Sequence, residues 1–302
     1  MGITILIIAI FVFVSIFLIF RIFHTYTINN SQALIVNYFV ATLLAFTIYG
    51  GELPIYKIPQ QSWFIPNIAL GIMFALSFLL YALSTQRVGM AITSVASKMS
   101  VVIPVFIGAY IYINESISTY EFAGLLLALA SFYLIFKKDK SKNIVNEIKT
   151  KHDKLLIILP LSIFLFTGAN DTLMKYIRET YFNVSTSNIN SEILFIGSLF
   201  AISFISSLIF FGIPEFIKKN KIELKSIIAG IILGIFNFFS AFTMFKAMGY
   251  FDSAVFFPIF NVGIVSLSAI IGIIIFKEKL TKTNYLGLIM AIGAIIFLAI
   301  SG

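Results

Sequence analysis

The chain has 302 residues, of which 60% are hydrophobic, 16% aromatic and only 11% charged. Soluble domains average about 45–50% apolar and about 25% charged residues, so this composition excludes them and specifies an integral membrane protein. With no cysteine, disulfide frameworks, thiolate metal sites and cysteine nucleophiles are excluded, and the net charge of +8 is read as membrane topology before it is read as nucleic-acid affinity.

A helix needs about 20 residues to cross roughly 30 Å of hydrocarbon. Ten apolar runs of that order follow one another, near 3–23, 32–50, 63–86, 90–113, 119–136, 155–176, 190–212, 224–246, 252–276 and 283–301. They use up nearly the whole chain and leave no soluble domain for a separate activity. The first, "GITILIIAIFVFVSIFLIF", lacks a basic n-region and an A-x-A-like cleavage site, and is expected to be a retained helix.

The second run carries Asn37, and the third carries Tyr81, Ser84 and Thr85 near one end. The fourth contains "ASKMSVVIPVF", in which Lys98 stands inside an otherwise uncharged stretch. An ionisable group at the bilayer centre costs about 2.5–3.5 kcal/mol on insertion scales, so it needs a partner, a wetted cavity or a route to the surface. Lys98 is therefore read as a substrate or coupling residue, as a structural ion-pair partner, or as a lysine snorkelling to the interface. Pro104 cannot donate to the Ser100 carbonyl, which predicts a kink and a freed carbonyl facing a polar cavity.

In the sixth run, "TGANDTLMKYIRET" holds Asp171, with Lys175 one turn on. A local Asp–Lys pair is one reading. An anion partner for Lys98, or a proton-carrying carboxylate, is the other. The eighth run has Asn237 and the pair Gly230 and Gly234, a small-xxx-small signal for close helix packing. For Asn37 and Asn237, hydrogen bonding between helices competes with substrate contact. The ninth opens with "YFDSAVFFPIFNVG", where Asp252 is placed to start the helix, Pro258 frees the Ala254 carbonyl, and Asn261 follows.

The charged stretch "KKDKSKNIVNEIKTKHDK" divides the helices five and five, giving a first repeat over 1–136, a linker over 137–154 and a second repeat over 155–302. Aligning Glu115 with Glu278 matches Ser118 to Thr281, Gly124 to Gly287 and Ala128 to Ala291 without a gap, and makes Asn261 the counterpart of Lys98. An odd number of helices per half inverts the second copy, so the expected fold is all-α, ten transmembrane helices as two inverted five-helix repeats. In such repeats the substrate binds near the midplane between the halves, which alternate access. Lys and Arg concentrate in the connections after helices 1, 3, 5, 7 and 9, against only Lys57, Lys175, Arg178 and Lys246 in the even ones. By the positive-inside rule the odd connections face the cytoplasm.

The segments "IGAYIYINES…EFAG" and "IGIIIFKEKL…NYLG", with "SKMSVVIPV" and "FNVGIVSLSAIIGIIIFKEKLT", resemble the EamA-like branch of the drug/metabolite transporter superfamily as found in bacteria. The resemblance implies a multi-pass inner-membrane secondary transporter of small metabolites, amino acids, sugars or drugs that works without ATP. In line with this, no G-x-x-x-x-G-K-[ST] occurs, and neither His24 nor His152 lies in an H-E-x-x-H. The leading expectation is an exporter of amino acids or related organic anions. An uptake permease for sugars or other metabolites is the alternative, and a membrane-embedded enzyme a third reading. Lys98, Asp171, Asn37, Asn237, Asn261 and Tyr81 are the candidate substrate or coupling residues. No cofactor, metal or nucleic acid is expected; proton or cation coupling, and a monomer or homodimer, stay open.

Overall fold

The computed structural model describes residues 1–50, 55–87, 96–111, 118–136, 153–182, 189–217, 219–274 and 282–301. Among them lie ten helices of ten residues or more: α1 (Gly2–Thr25), α2 (Asn30–Ile48), α3 (Phe64–Arg87), α4 (Val102–Ile111), α5 (Thr119–Phe136), α6 (Asp153–Tyr181), α7 (Ile189–Ser207), α8 (Leu224–Met248), α9 (Ser253–Ile274) and α10 (Lys282–Ser301). An apolar chain in lipid must satisfy its backbone polar groups internally, and helices do so within each segment. Among the described residues five segments are long and apolar enough to cross a membrane: Gly2–Phe20, Asn30–Ile48, Phe64–Tyr81, Ile189–Ile217 and Leu224–Met248. Glu115 and Glu278 lie outside the described residues.

Helix starts follow local chemistry. Asn29 caps α2 by accepting from the Gln32 amide through Oδ1 at 3.3 Å. Ser118 stands just before α5, its carbonyl accepting from Phe122 N at 3.0 Å, and the Asp252 carbonyl opens α9 by accepting from Phe256 N at 2.8 Å.

The stretch around Lys98 differs from a kinked continuous helix. A single helical turn at 96–99 ends in a turn at 100–101, and α4 restarts at Val102. Pro104 is thereby placed in the first turn of a new helix, where its missing N–H has no intrahelical role. The expected free carbonyl is also not free, since Ile103 N donates to Ser100 O at 2.9 Å. Breaking the helix one turn early resolved what a kink would have left open. Pro258 instead lies inside α9, which runs on past it.

The chain divides into two compact units that do not follow the sequence halves. Unit 1 comprises Met1–Phe78 and Leu173–Tyr250, and unit 2 comprises Leu79–Thr172 and Phe251–Gly302. In unit 1, α2 packs against both α7 and α8, and α1 against α8. The Gly230 and Gly234 signal is realised here: a Cβ on Gly230 would stand 2.6 Å from the Ala33 carbonyl oxygen, and one on Gly234 2.7 Å from that of Asn37. No larger residue fits without separating α8 from α2. Helix α3 meets α7 where Ser203 Oγ donates to Gly71 O at 3.0 Å. In unit 2, α5 packs on α10, and α9 packs on α4, α5 and α10.

Candidate functional site

A set of polar groups in unit 2 lies around Lys98. Its side chain is 4% exposed, and its ammonium donates to Asn261 Oδ1 at 3.1 Å. The break at 100–101 positions it, because a helix end leaves Ser97, Lys98 and Ser100 pointing inward with Ser97 and Ser100 also buried. Asn261 is set one turn beyond Pro258 on α9, and its amide NH2 finds no acceptor among the described residues.

The Tyr81 hydroxyl, near the end of α3, donates to Ser97 Oγ and lies 3.3 Å from Thr167 Oγ1. Thr167 and Asp171 share one face of α6 at i and i+4. Asp171 lies close enough to act electrostatically on both Lys98 and Tyr81. Four elements therefore bring together an ammonium, a carboxylate, an amide and hydroxyl groups in a largely apolar interior. Such a set complements a small polar molecule bearing charge. Among the described residues no group of three or more His, Asp or Glu is placed to hold a metal ion.

Of the residues expected from the sequence, Lys98, Asn261, Asp171 and Tyr81 come together, and Thr167 joins them unforeseen. Asn37 and Asn237 form a pair of their own in unit 1, Asn237 Nδ2 donating to Asn37 Oδ1 at 3.1 Å beside the Gly234 crossing. Asn67 is a further buried amide that the reading of spans passed over; its Nδ2 donates to Ser198 Oγ at 2.8 Å and Phe195 O at 3.3 Å.

Lys175 and Arg178 need correction. Counted in the sequence as loop charges, both are buried in α6. Lys175 pairs with Glu179 one turn on at 2.9 Å and donates to Met248 O at 2.9 Å. Arg178 is 1% exposed and Glu192, on α7, 3%; they meet at 2.6 Å. The Arg178 guanidinium also lies over the Phe245 ring, 5.0 Å from its centre, and Phe245 packs on Phe182 and Phe195.

Compared with known proteins, residues 154–300 match the EamA-like transporter family. The match lies in the second half of the chain. That family is part of the drug/metabolite transporter superfamily, and together with the apolar helices the match points to a multi-pass membrane protein. The matched segment carries α6 to α10, and so Asp171, Thr167 and Asn261, while Lys98 and Tyr81 lie before it. An uncharacterized protein of Haemophilus influenzae is 26% identical over 298 residues, covering 96% of this chain and 95% of that one. A protein of known crystal structure shares the fold at a TM-score of 0.75 and 11% identity, covering 99% of this chain and 97% of that one.

Proposed function

We propose that this EamA-like protein spans the bacterial inner membrane ten times, as two inverted five-helix repeats, and is a secondary transporter that exports amino acids or related organic anions by alternating access. The observation that carries the reading is the buried contact between Lys98 and Asn261, 163 residues apart. That separation equals the offset between Glu115 and Glu278, and between the first residues of α5 and α10. A residue that touches its own repeat counterpart must lie at the pseudo-twofold axis, where inverted repeats place their substrate. The packing of α2 on α7, α4 on α9 and α5 on α10 pairs counterpart helices in the same way.

In this reading Lys98 holds the substrate carboxylate, while Asn261 and Tyr81 orient polar groups. Asp171 balances the charge or carries a proton. The Asn37–Asn237 bond favours a packing role for that pair. Counterflow of labelled metabolites into proteoliposomes tests the proposal: internal amino acid should stimulate uptake of external labelled amino acid. A panel giving exchange only with neutral sugars would favour a sugar permease, and no exchange with any solute would remove the carrier reading.

The orientation proposal places the odd connections in the cytoplasm and both termini outside. It gains from the burial of Lys175 and Arg178, which leaves Lys57, and Lys246 in the last turn of α8, as the basic residues counted toward the even connections. A C-terminal reporter active only in the periplasm should give signal; a cytoplasmic signal reverses the assignment.

A further inference from the structure

We infer that the connection between α7 and α8 is a binding site for an anionic phospholipid, with the headgroup phosphate on Lys219 and Lys221 and the acyl chains against Phe216, Ile217, Ile222 and Leu224. The connection is fastened on its inner side. Asn29 and Asn220 both donate to Glu215 Oε2 at 3.1 Å, Gln32 Nε2 donates to Lys221 O at 2.8 Å, and Glu223 N donates to Gln32 Oε1 at 2.9 Å. Held so, it cannot turn its outer side chains inward. Yet Phe216 is 85%, Ile217 71%, Ile222 79% and Leu224 71% exposed.

Depth decides what covers them. The apolar segment Ile189–Ile217 has 29 residues. At 1.5 Å per residue it is roughly 40 Å long, against about 30 Å of hydrocarbon, so its last turns stand at headgroup level when the rest spans the bilayer. A π-helical turn at Leu208–Gly212 lies just before them.

Charge decides which lipid. Glu215 is engaged by the two asparagines, and Lys225 lies 3.5 Å from Glu223 and donates to Thr27 Oγ1 at 3.1 Å. Lys219 and Lys221 are exposed and have no ion-pair partner among the described residues. Lys219 also adopts a positive φ of 53°. It follows the helix Ile213–Ile217, and its amide donates to Phe216 O at 3.1 Å while that of Asn220 donates to Glu215 O at 3.3 Å. Such a helix-ending position favours glycine or asparagine. A lysine there gives up local stability for a charge held at a fixed place beside apolar side chains, which suits a headgroup phosphate above acyl chains.

The test follows thermal unfolding of the detergent-solubilised protein as phosphatidylglycerol is titrated into the micelles, with phosphatidylcholine and inorganic phosphate as separate arms. Phosphatidylglycerol should raise the midpoint and the other two should not. Each lysine near an anionic surface is worth about fivefold in affinity, so the double variant K219G/K221Q should need roughly 30-fold more phosphatidylglycerol. Because glycine suits the positive φ, this variant should keep or raise its midpoint in lipid-free detergent, which separates lost binding from lost folding. An unchanged response in the variant, or an equal response to phosphatidylcholine or inorganic phosphate, overturns the site. A Phe216→Trp variant should be quenched by phosphatidylglycerol with brominated chains, beyond any quenching of the buried Trp63; a tryptophan shielded from those lipids would show that a protein covers the face instead and would overturn it as well.

Discussion

Lys98→Ala should abolish substrate-stimulated counterflow while folded protein accumulates in the membrane. The ammonium is buried, bonded to Asn261 and in the field of Asp171. Removing one member of a buried charged pair costs about 2–5 kcal/mol in binding, at least about 30-fold in affinity. Part of that loss comes from the Asp171 carboxylate, which loses the cation acting on it. A purely structural role predicts a different pattern, and the double variant K98M/D171N separates the two. With both charges gone, no uncompensated ion is left in the interior, so any stability lost in the single variant should return toward the parent level. Transport should stay lost if Lys98 binds the substrate. If transport recovers along with folding, the pair holds helices together and the substrate binds elsewhere. Lys98→Arg keeps the charge but spreads it over a planar, bulkier group, so partial activity is expected, with a weakened apparent affinity. Full transport by Lys98→Ala at normal expression would reject the site outright.

How far the sequence reached can be judged at particular residues. Among the described residues ten helices of ten residues or more fall on the ten apolar runs, as expected of apolar segments that must satisfy their backbone polar groups internally. The link from Lys98 to Asn261 was legible only under the offset set by Glu115 and Glu278, whereas matching Gly89 to Gly249 shifts the register by three residues there. Other features were hidden for physical reasons. Pro104 announces only that one N–H is missing; whether the helix bends or breaks depends on Ile103 N, which takes the Ser100 carbonyl. Thr167 carries no signal of its own, since a threonine one turn before Asp171 acquires meaning only when Tyr81 arrives from another helix. Arg178 and Lys175 were misplaced because a charge near the end of an apolar run normally belongs to the loop. What kept them inside are partners the sequence does not display as such: Glu192, 14 residues later and across a connection, and the carbonyl of Met248, 73 residues away.

Those partners make the Arg178–Glu192 pair the place where a single substitution should cost this protein most stability. Taking both ions out of water is expensive, and their 2.6 Å contact repays that cost only while both are present. Glu192→Gln leaves a guanidinium that cannot lose its charge, in a shell of Phe182, Phe195 and Phe245, with its Nε already lacking an acceptor among the described residues. Breaking such a buried pair from one side costs about 3–5 kcal/mol. The Phe245 ring attracts the cation before and after the substitution alike, so it does not offset this loss. Electrostatic loss therefore wins, and Glu192→Gln should lower the thermal midpoint in detergent and the yield of monodisperse protein. Arg178→Met should do the same from the other side by stranding the carboxylate. The double variant R178M/E192L, which fills the volume with apolar side chains, should return near the parent midpoint, because the pair adds little over well-packed hydrophobic residues. Equal destabilisation by the double and the single variants would mean that the guanidinium holds α6 through its hydrogen bond and its ring contact rather than through charge balance. Near-parent stability in both single variants would mean that water reaches the pair when it is broken.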